Sequence, residues 1–209
     1  MHRGEQYHRF ISASPRDRRT RDRFLRMALG LVAPGSRILD FGAGTGIDAR
    51  RYAAAGHVAW VHEPDPVQRA YLAEHCRDEI SAGTIIPTEF PPSGKIDAIT
   101  ANFAVLNLVP DQAALFQSFA HILEEGGFVL ASLLNPYYLG DARYGWWRAN
   151  LVTLLREGRY AIDSASGIVR YAPRSVARAA APHFRLEKTL PPGPASWMRQ
   201  YAFLLLRRI

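Results

Sequence analysis

What this chain lacks narrows it first. It has one cysteine, Cys76, in 209 residues. A single thiol excludes an internal disulfide framework and a cysteine-based metal cluster. It is compatible with a reducing compartment, and the cytoplasm is the expected location. No His-x-x-x-His or similar ligand spacing occurs, so no metal is expected. No apolar run approaches the roughly 20 residues that span a bilayer, and residues 1–5 carry no apolar signal core. Internal repeats and low-complexity tracts are absent. Lysine is nearly absent: of 26 basic residues only Lys95 and Lys188 are lysines. Acids number 19 against those 26 basic residues, which leaves a net charge of +7. That balance suits an anionic partner or serves solubility alone. Eight arginines lie between Arg3 and Arg26, and an anion-facing patch and a solvated helix face are both open readings there.

What is present is a chain long enough to bury a core as one domain, residues 1–209. Its most informative stretch is Arg37-Ile38-Leu39-Asp40-Phe41-Gly42-Ala43-Gly44-Thr45-Gly46. Ile38-Leu39 has no apolar–polar alternation, as expected of a buried central strand. Three glycines spaced two apart follow, and they suit a tight strand-to-helix turn with positive φ and close ligand approach. Residues 47–55 read as the helix, whose N-terminus offers unpaired N–H groups. The spacing is neither G-x-G-x-x-G nor a phosphate-cradling Gly-Lys-Ser/Thr. A second strand, residues 57–62, ends in Glu63, nineteen residues after Gly44. A carboxylate there can accept hydrogen bonds from both ribose hydroxyls of a nucleoside. The layout suits a nucleoside ligand without a pyrophosphate.

This stretch resembles class I S-adenosylmethionine (SAM)-dependent methyltransferases of the small-molecule type. Residues 38–46 fit that family's first motif at every defined position, and Glu63-Pro64-Asp65-Pro66 fits the acid-plus-proline segment after the second strand. The resemblance covers residues 37–136. It implies a doubly wound, mostly parallel seven-stranded α/β sheet, Rossmann-like, whose last strand is antiparallel and slots between the fifth and sixth. It also implies roles: Asp40 orients the methionine part, Gly42, Ala43, Gly44 and Gly46 permit close approach, Glu63 holds the ribose and Pro64 packs on the adenine. An acid after the third strand contacts the adenine amino group in that family. Here the position falls on Ile86, and a small gap brings Thr88 and Glu89 there instead. Asn102 and Phe103, after the fourth strand, fall beside the methionine end. A turn asparagine satisfying its own backbone is the alternative for Asn102.

The rest of the chain follows the same alternation. Ser14-Pro15 suits a helix start, apolar residues recur at helical spacing over 16–32, and Gly35 closes that helix. The resemblance makes residues 1–35 an N-terminal helical cap over the cofactor edge, with Tyr7, His8 and Phe10 near the site or packed on the flank. Pro66 opens a helix reaching Cys76 or Glu79, with Ala70, Tyr71, Leu72 and Ala73 as its apolar face. Cys76 reads as a buried small residue. Strands are expected over 83–86, 95–101, 128–134, 185–190 and 198–208, with helices at 110–125 and 173–181. Strand–helix alternation of this kind makes a parallel sheet with helices on both faces. Asn135-Pro136-Tyr137 echoes the motif of amino-group methyltransferases acting on DNA bases, but it follows the wrong strand and lacks a second proline, so it reads as turn chemistry.

Residues 137–172 break the pattern and are expected to form a small helical lid over the acceptor, with a helix over 147–155. Tyr137, Tyr138, Trp146 and Trp147 can stack on a planar acceptor, and the arginines there can clamp an anion. The other reading is that the aromatics simply pack onto the sheet. His8, His121 and His183 are possible bases, none in a recognisable motif, so no catalytic base is assigned. The expected activity is transfer of a methyl group from SAM to a small-molecule acceptor, with SAM as cofactor and no nucleic-acid partner. A non-catalytic SAM-binding protein of the same fold and a nucleic-acid methyltransferase are the alternatives. A nicotinamide oxidoreductase shares the fold but conflicts with the glycine spacing.

Overall fold

The computed structural model describes residues 14–162 and 167–209. Tyr7, His8 and Phe10 lie outside them. Seven strands form one sheet in the order β3-β2-β1-β4-β5-β9-β8, and a two-stranded sheet joins β6 to β7. The seven-stranded sheet is mostly parallel, with β9 antiparallel to both neighbours. The chain divides into two compact units, residues 1–102 and 103–209.

In the first unit α1 (Pro15–Leu29) starts where Ser14 accepts from the Asp17 N–H at 3.2 Å, with Pro15 in the first turn. Proline suits that place because it has no N–H to leave unpaired. Phe24, Leu25 and Ala28 are buried; a buried Phe or Leu side chain contributes about 1.5–3 kcal/mol. The helix stops at Leu29 and Gly30 caps it, not Gly35, which turns the chain toward the sheet at φ +75°. Then come β1 (Arg37–Phe41), α2 (Ile47–Ala54), β2 (Val58–His62), α3 (Pro66–His75), α4 (Arg77–Ser81), β3 (Ile85–Pro87) and β4 (Ile96–Ala101). Leu39 faces Trp60 on one side and Ile99 on the other. A strand paired on both edges and covered on both faces needs no alternation, hence the bare Ile38-Leu39 run.

The chain steps outward from β1 through β2 to β3, then returns to the other side of β1 as β4. In open α/β sheets ligands bind at such a reversal, beyond the carboxyl ends of the strands. On α3 only Leu72 is buried. Ala70 and Ala73, expected on its apolar face, are exposed. Alanine buries little surface wherever it points, so its position was weakly determined.

In the second unit a short 3₁₀ turn (Val105–Leu108) leads to α5 (Gln112–Ile122), capped by Asp111 accepting from the Ala114 N–H at 2.9 Å. The unit continues with β5 (Leu123–Leu134), α6 (Gly145–Ala149), α7 (Leu151–Glu157), β6 (Arg159–Ala161), β7 (Val169–Tyr171), α8 (Pro173–Ala180), β8 (Phe184–Leu190) and β9 (Tyr201–Arg208). Phe116 packs edge-on to Phe119 and Phe184, with centroids 5.8 and 5.6 Å apart. Residues 124–127, expected to close a helix, already belong to β5. The last strand starts at Tyr201 rather than Met198, because Gly193–Met198 coils as a 3₁₀ turn. Proline-rich chain before it lacks the N–H groups a ladder needs.

The expected 147–155 helix is two helices broken at Asn150. Its Nδ2 donates to Trp146 O at 2.8 Å, the local competition that makes asparagine a poor helix interior. Residues 137–172 also carry the β6–β7 hairpin, so the insertion is not purely helical. Its strands are three residues each, too short for a period to announce them.

Candidate functional site

At the end of β1 the N–H groups of Gly42 and Ala43 both donate to His62 O, at 2.8 and 3.0 Å. Gly42, Gly44 and Gly46 take φ of +76°, +58° and +80°. These left-handed values cost other residues about 1–2 kcal/mol. Gly46 has a second reason to be glycine: a Cβ there would stand 2.5 Å from Cys76 Sγ and 3.2 Å from Leu72 Cγ. Glu63 is 8% exposed. Its Oε2 accepts the Gly44 N–H at 2.7 Å and its Oε1 the Asp65 N–H at 2.9 Å. Arg69 steadies the same corner by donating to Glu63 O at 2.9 Å. The carboxylate therefore ties the glycine loop to the tip of β2. Pro64, beside it, is exposed.

Asp40 lies behind the loop, 2% exposed. The Thr100 hydroxyl reaches its Oδ1 at 3.5 Å, while Oδ2 is buried without a partner. Burial, then the Asp48 and Glu63 carboxylates, hold the Asp40 carboxyl well above the usual carboxylate range, and Arg21 opposes them. The Tyr52 hydroxyl is also buried without a partner, and burial followed by Asp40 and Asp48 pushes it well up. Asp48, in the first turn of α2, pairs with Arg21 of α1 through Oδ1. Its Oδ2 accepts from Asn102 Nδ2 at 2.8 Å. Asn102, just past β4, is 6% exposed. Its amide thus reaches a carboxylate 54 positions away in the chain.

Thr88 directly follows β3 and donates its N–H to Val61 O at 2.9 Å, with its hydroxyl on Glu89 O at 3.0 Å. Thr88 is half-buried and Glu89 exposed. Phe41, His62 and Phe90 form an aromatic cluster with centroids 4.9 to 5.6 Å apart.

In the second unit Phe103 and Ala104 take φ of +54° and +66°. Two successive non-glycine residues in this region store backbone strain, which collects at working sites. Ser132 holds them: its Oγ accepts the Phe103 N–H at 2.6 Å and its carbonyl the Ala104 N–H at 3.0 Å. The Phe103 ring meets Tyr201 edge-on at 5.4 Å.

The aromatics of 137–172 are largely engaged with one another. Tyr137 and Trp146 pack on a buried cluster of Leu154, Tyr160 and Ala172. Tyr138 lies against Gly140, where a Cβ would collide with its ring. Trp147 Nε1 donates to Pro136 O at 3.0 Å. Arg170, 5% exposed, donates to Asn135 O at 2.9 Å, pairs with Asp141 at 2.9 Å and sits 5.4 Å over the Trp146 ring. Asn135 donates to Ser196 O and Arg199 O at 2.7 and 2.9 Å and accepts the Tyr137 N–H at 3.0 Å. It is a structural knot, in keeping with its reading as turn chemistry.

Asp40, the glycine loop, Glu63 and Asn102 thus meet at the carboxyl edge of β1, β2 and β4. Arg21, Asp48 and the Phe41–His62–Phe90 cluster were not singled out from sequence. The one available signal was an acid in the first turn after a glycine loop, where a helix N-terminus favours it. Among the described residues no group of three or more His, Cys, Asp or Glu is placed to hold a metal. No helix there is long and apolar enough to cross a membrane.

The strand order, the antiparallel penultimate position of the last strand and the loop at the β1 edge define a Rossmann-like methyltransferase fold. Residues 8–172 match a family described as "Methyltransferase domain". The chain belongs to that family. No curated protein matches it. Solved structures with the same fold include the N-methyltransferase NodS from Bradyrhizobium japonicum in complex with S-adenosyl-L-homocysteine (SAH). It is 14% identical with a TM-score of 0.65, over 95% of this chain and 90% of that one. An S-adenosylmethionine-dependent methyltransferase from Mesorhizobium loti is 22% identical with a TM-score of 0.64, over 88% and 95%. A TehB-like SAM-dependent methyltransferase from Corynebacterium glutamicum is 12% identical with a TM-score of 0.67, over 99% and 98%.

Proposed function

We propose that this methyltransferase moves the methyl group of SAM to a small-molecule acceptor. The observation that carries the cofactor reading is the buried, unpartnered Oδ2 of Asp40 behind a left-handed glycine loop. An orphan acceptor in a cluster of three acids fits a cationic ligand, which would favour the ionised carboxylate. Asp40 and Asn102 would hold the methionine part, Gly42, Ala43, Gly44 and Gly46 its approach to the backbone, and Glu63 the ribose. Glu63 already accepts two N–H groups, and a carboxylate has about four acceptor positions, so it has capacity for hydroxyl donors. Thr88, Glu89, Pro64 and Phe103 would flank the base and the methionine end. When bound, SAM supplies an electrophilic methyl on a sulfonium. The chain's own part is to orient the ligand and exclude water, which can supply much of the rate.

A planar or apolar acceptor is supported by the aromatic content of Tyr137, Tyr138, Trp146 and Trp147, together with the family resemblance that makes 137–172 the acceptor-selecting segment. The arginine that segment buries, Arg170, is committed to Asp141 and Asn135.

Calorimetric titration of SAM and SAH into wild type and Glu63→Gln tests the reading. Micromolar binding that weakens at least tenfold in the variant, about 1.4 kcal/mol, is expected. Absence of binding by the wild type would overturn it. SAM binding without turnover across an acceptor panel would leave a cofactor-binding protein without catalysis. A steep salt dependence of RNA or DNA binding would move the acceptor to nucleic acid.

A further inference from the structure

Asp48 and Arg21 belong to no part of the cofactor assignment, yet through Asp48 they are tied to Asn102, which does. Asp48 Oδ1 is paired to Arg21, and Oδ2 accepts from Asn102 Nδ2 at 2.8 Å. The Asp48 side chain is 5% exposed and that of Arg21 is 14% exposed. One carboxylate therefore joins three elements: α1 through Arg21, the first turn of α2 and the tip of β4 through Asn102. A primary amide has its donor and acceptor on opposite sides. Fixing Nδ2 on Asp48 fixes which way the Asn102 carbonyl end points. Loss of the clamp would remove the acceptor that sets this orientation.

We propose that Asp48 is a positioning residue that sets the Asn102 amide for the cofactor's methionine end, and that Arg21 holds Asp48 in place for this task. The proposal rests on the cofactor reading above. The Asp48 carboxylate suits both duties because its two oxygens serve the two donors separately. Charge-assisted bonds of this kind are roughly twice as strong as neutral ones. The cation comes from α1, so the helix ahead of the sheet takes part in cofactor affinity through Asp48.

The test is the SAM dissociation constant by calorimetry, taken below each variant's unfolding transition, with melting temperatures recorded alongside. The paired replacement Arg21→Met with Asp48→Leu removes one charge of each sign and leaves no acceptor at position 48 for Asn102 Nδ2, so the net field barely changes while the clamp is lost. It should weaken SAM by about tenfold. Arg21→Lys alone, which keeps the cation, should stay within about threefold of wild type. In an Asn102→Ala background the paired replacement should alter SAM affinity by less than about twofold, because sites that act through one another are not additive. An unchanged affinity in the paired variant, whatever its melting temperature, would overturn the proposal. So would a full tenfold effect that persists without Asn102. Failure of the wild type to bind SAM would overturn the cofactor reading and this inference with it, whereas normal wild-type binding with an indifferent paired variant sinks the clamp alone.

Discussion

Gly46→Ala is the sharpest probe of why the glycine loop is built as it is. Two separate costs act at that position. Its φ of +80° is left-handed, and an alanine held there pays about 1–2 kcal/mol. Its new Cβ would stand 2.5 Å from Cys76 Sγ and 3.2 Å from Leu72 Cγ. Cys76 and Leu72 are both buried, so neither can swing into solvent. Overpacking of that kind adds about 1–3 kcal/mol. The sum is about 3 kcal/mol, which lowers the melting temperature of a chain this size by about 6–12 °C. Urea unfolding followed by circular dichroism measures the first figure and calorimetry the second. The two costs separate in Gly46→Ala with Cys76→Ala, where the sulfur that meets the new Cβ is gone. The steric part should largely return and the conformational part remain. A loss below about 1 kcal/mol in the single variant would refute the reasoning, since the φ cost alone reaches that value.

Three further predictions follow from the same network. Burial pushes the Cys76 thiol up to about 12, so native protein at about pH 8 should react with a thiol reagent roughly three orders of magnitude more slowly than an ordinary thiol; reaction at the unfolded rate would refute its burial. Burial and two acids hold Asp40 above its ordinary range, so the folded chain keeps a proton that the unfolded chain releases, and stability falls as pH rises through that window. Asp40→Asn does not titrate, and its melting temperature should gain on wild type as pH rises above the ordinary carboxylate range, whereas a difference independent of pH would contradict the assignment. Arg170→Met strips the partner from half-buried Asp141, a loss of about 3–5 kcal/mol readable by urea unfolding; a loss under about 1 kcal/mol would mean that the pair holds nothing.

Sequence by itself determined the β1 strand, the glycine loop and the acid at the tip of β2, because each is local; the spatial order of the sheet came only with the family resemblance. An unalternated Ile38-Leu39 run reports burial on both faces, left-handed turns select glycine, and a strand is announced by its own period and punctuation. It also determined that Cys76 would be buried, since a small apolar side chain among helix residues favours that. Only the tertiary structure decided what the site's polar atoms do. Glu63 accepts the N–H groups of Gly44 and Asp65, and Asn102 donates to Asp48. Arg21 is paired rather than solvated, unlike the exposed Arg18 and Arg19 near it. It decided too that Tyr137 and Trp146 pack on Tyr160, and that a hairpin stands in 137–172. Several of these join residues far apart in the chain, such as Gly44 with Glu63, 19 positions on, and Asp48 with Asn102, 54 positions on. No local pattern encodes them, because a buried polar atom must find a partner wherever the folded chain puts one.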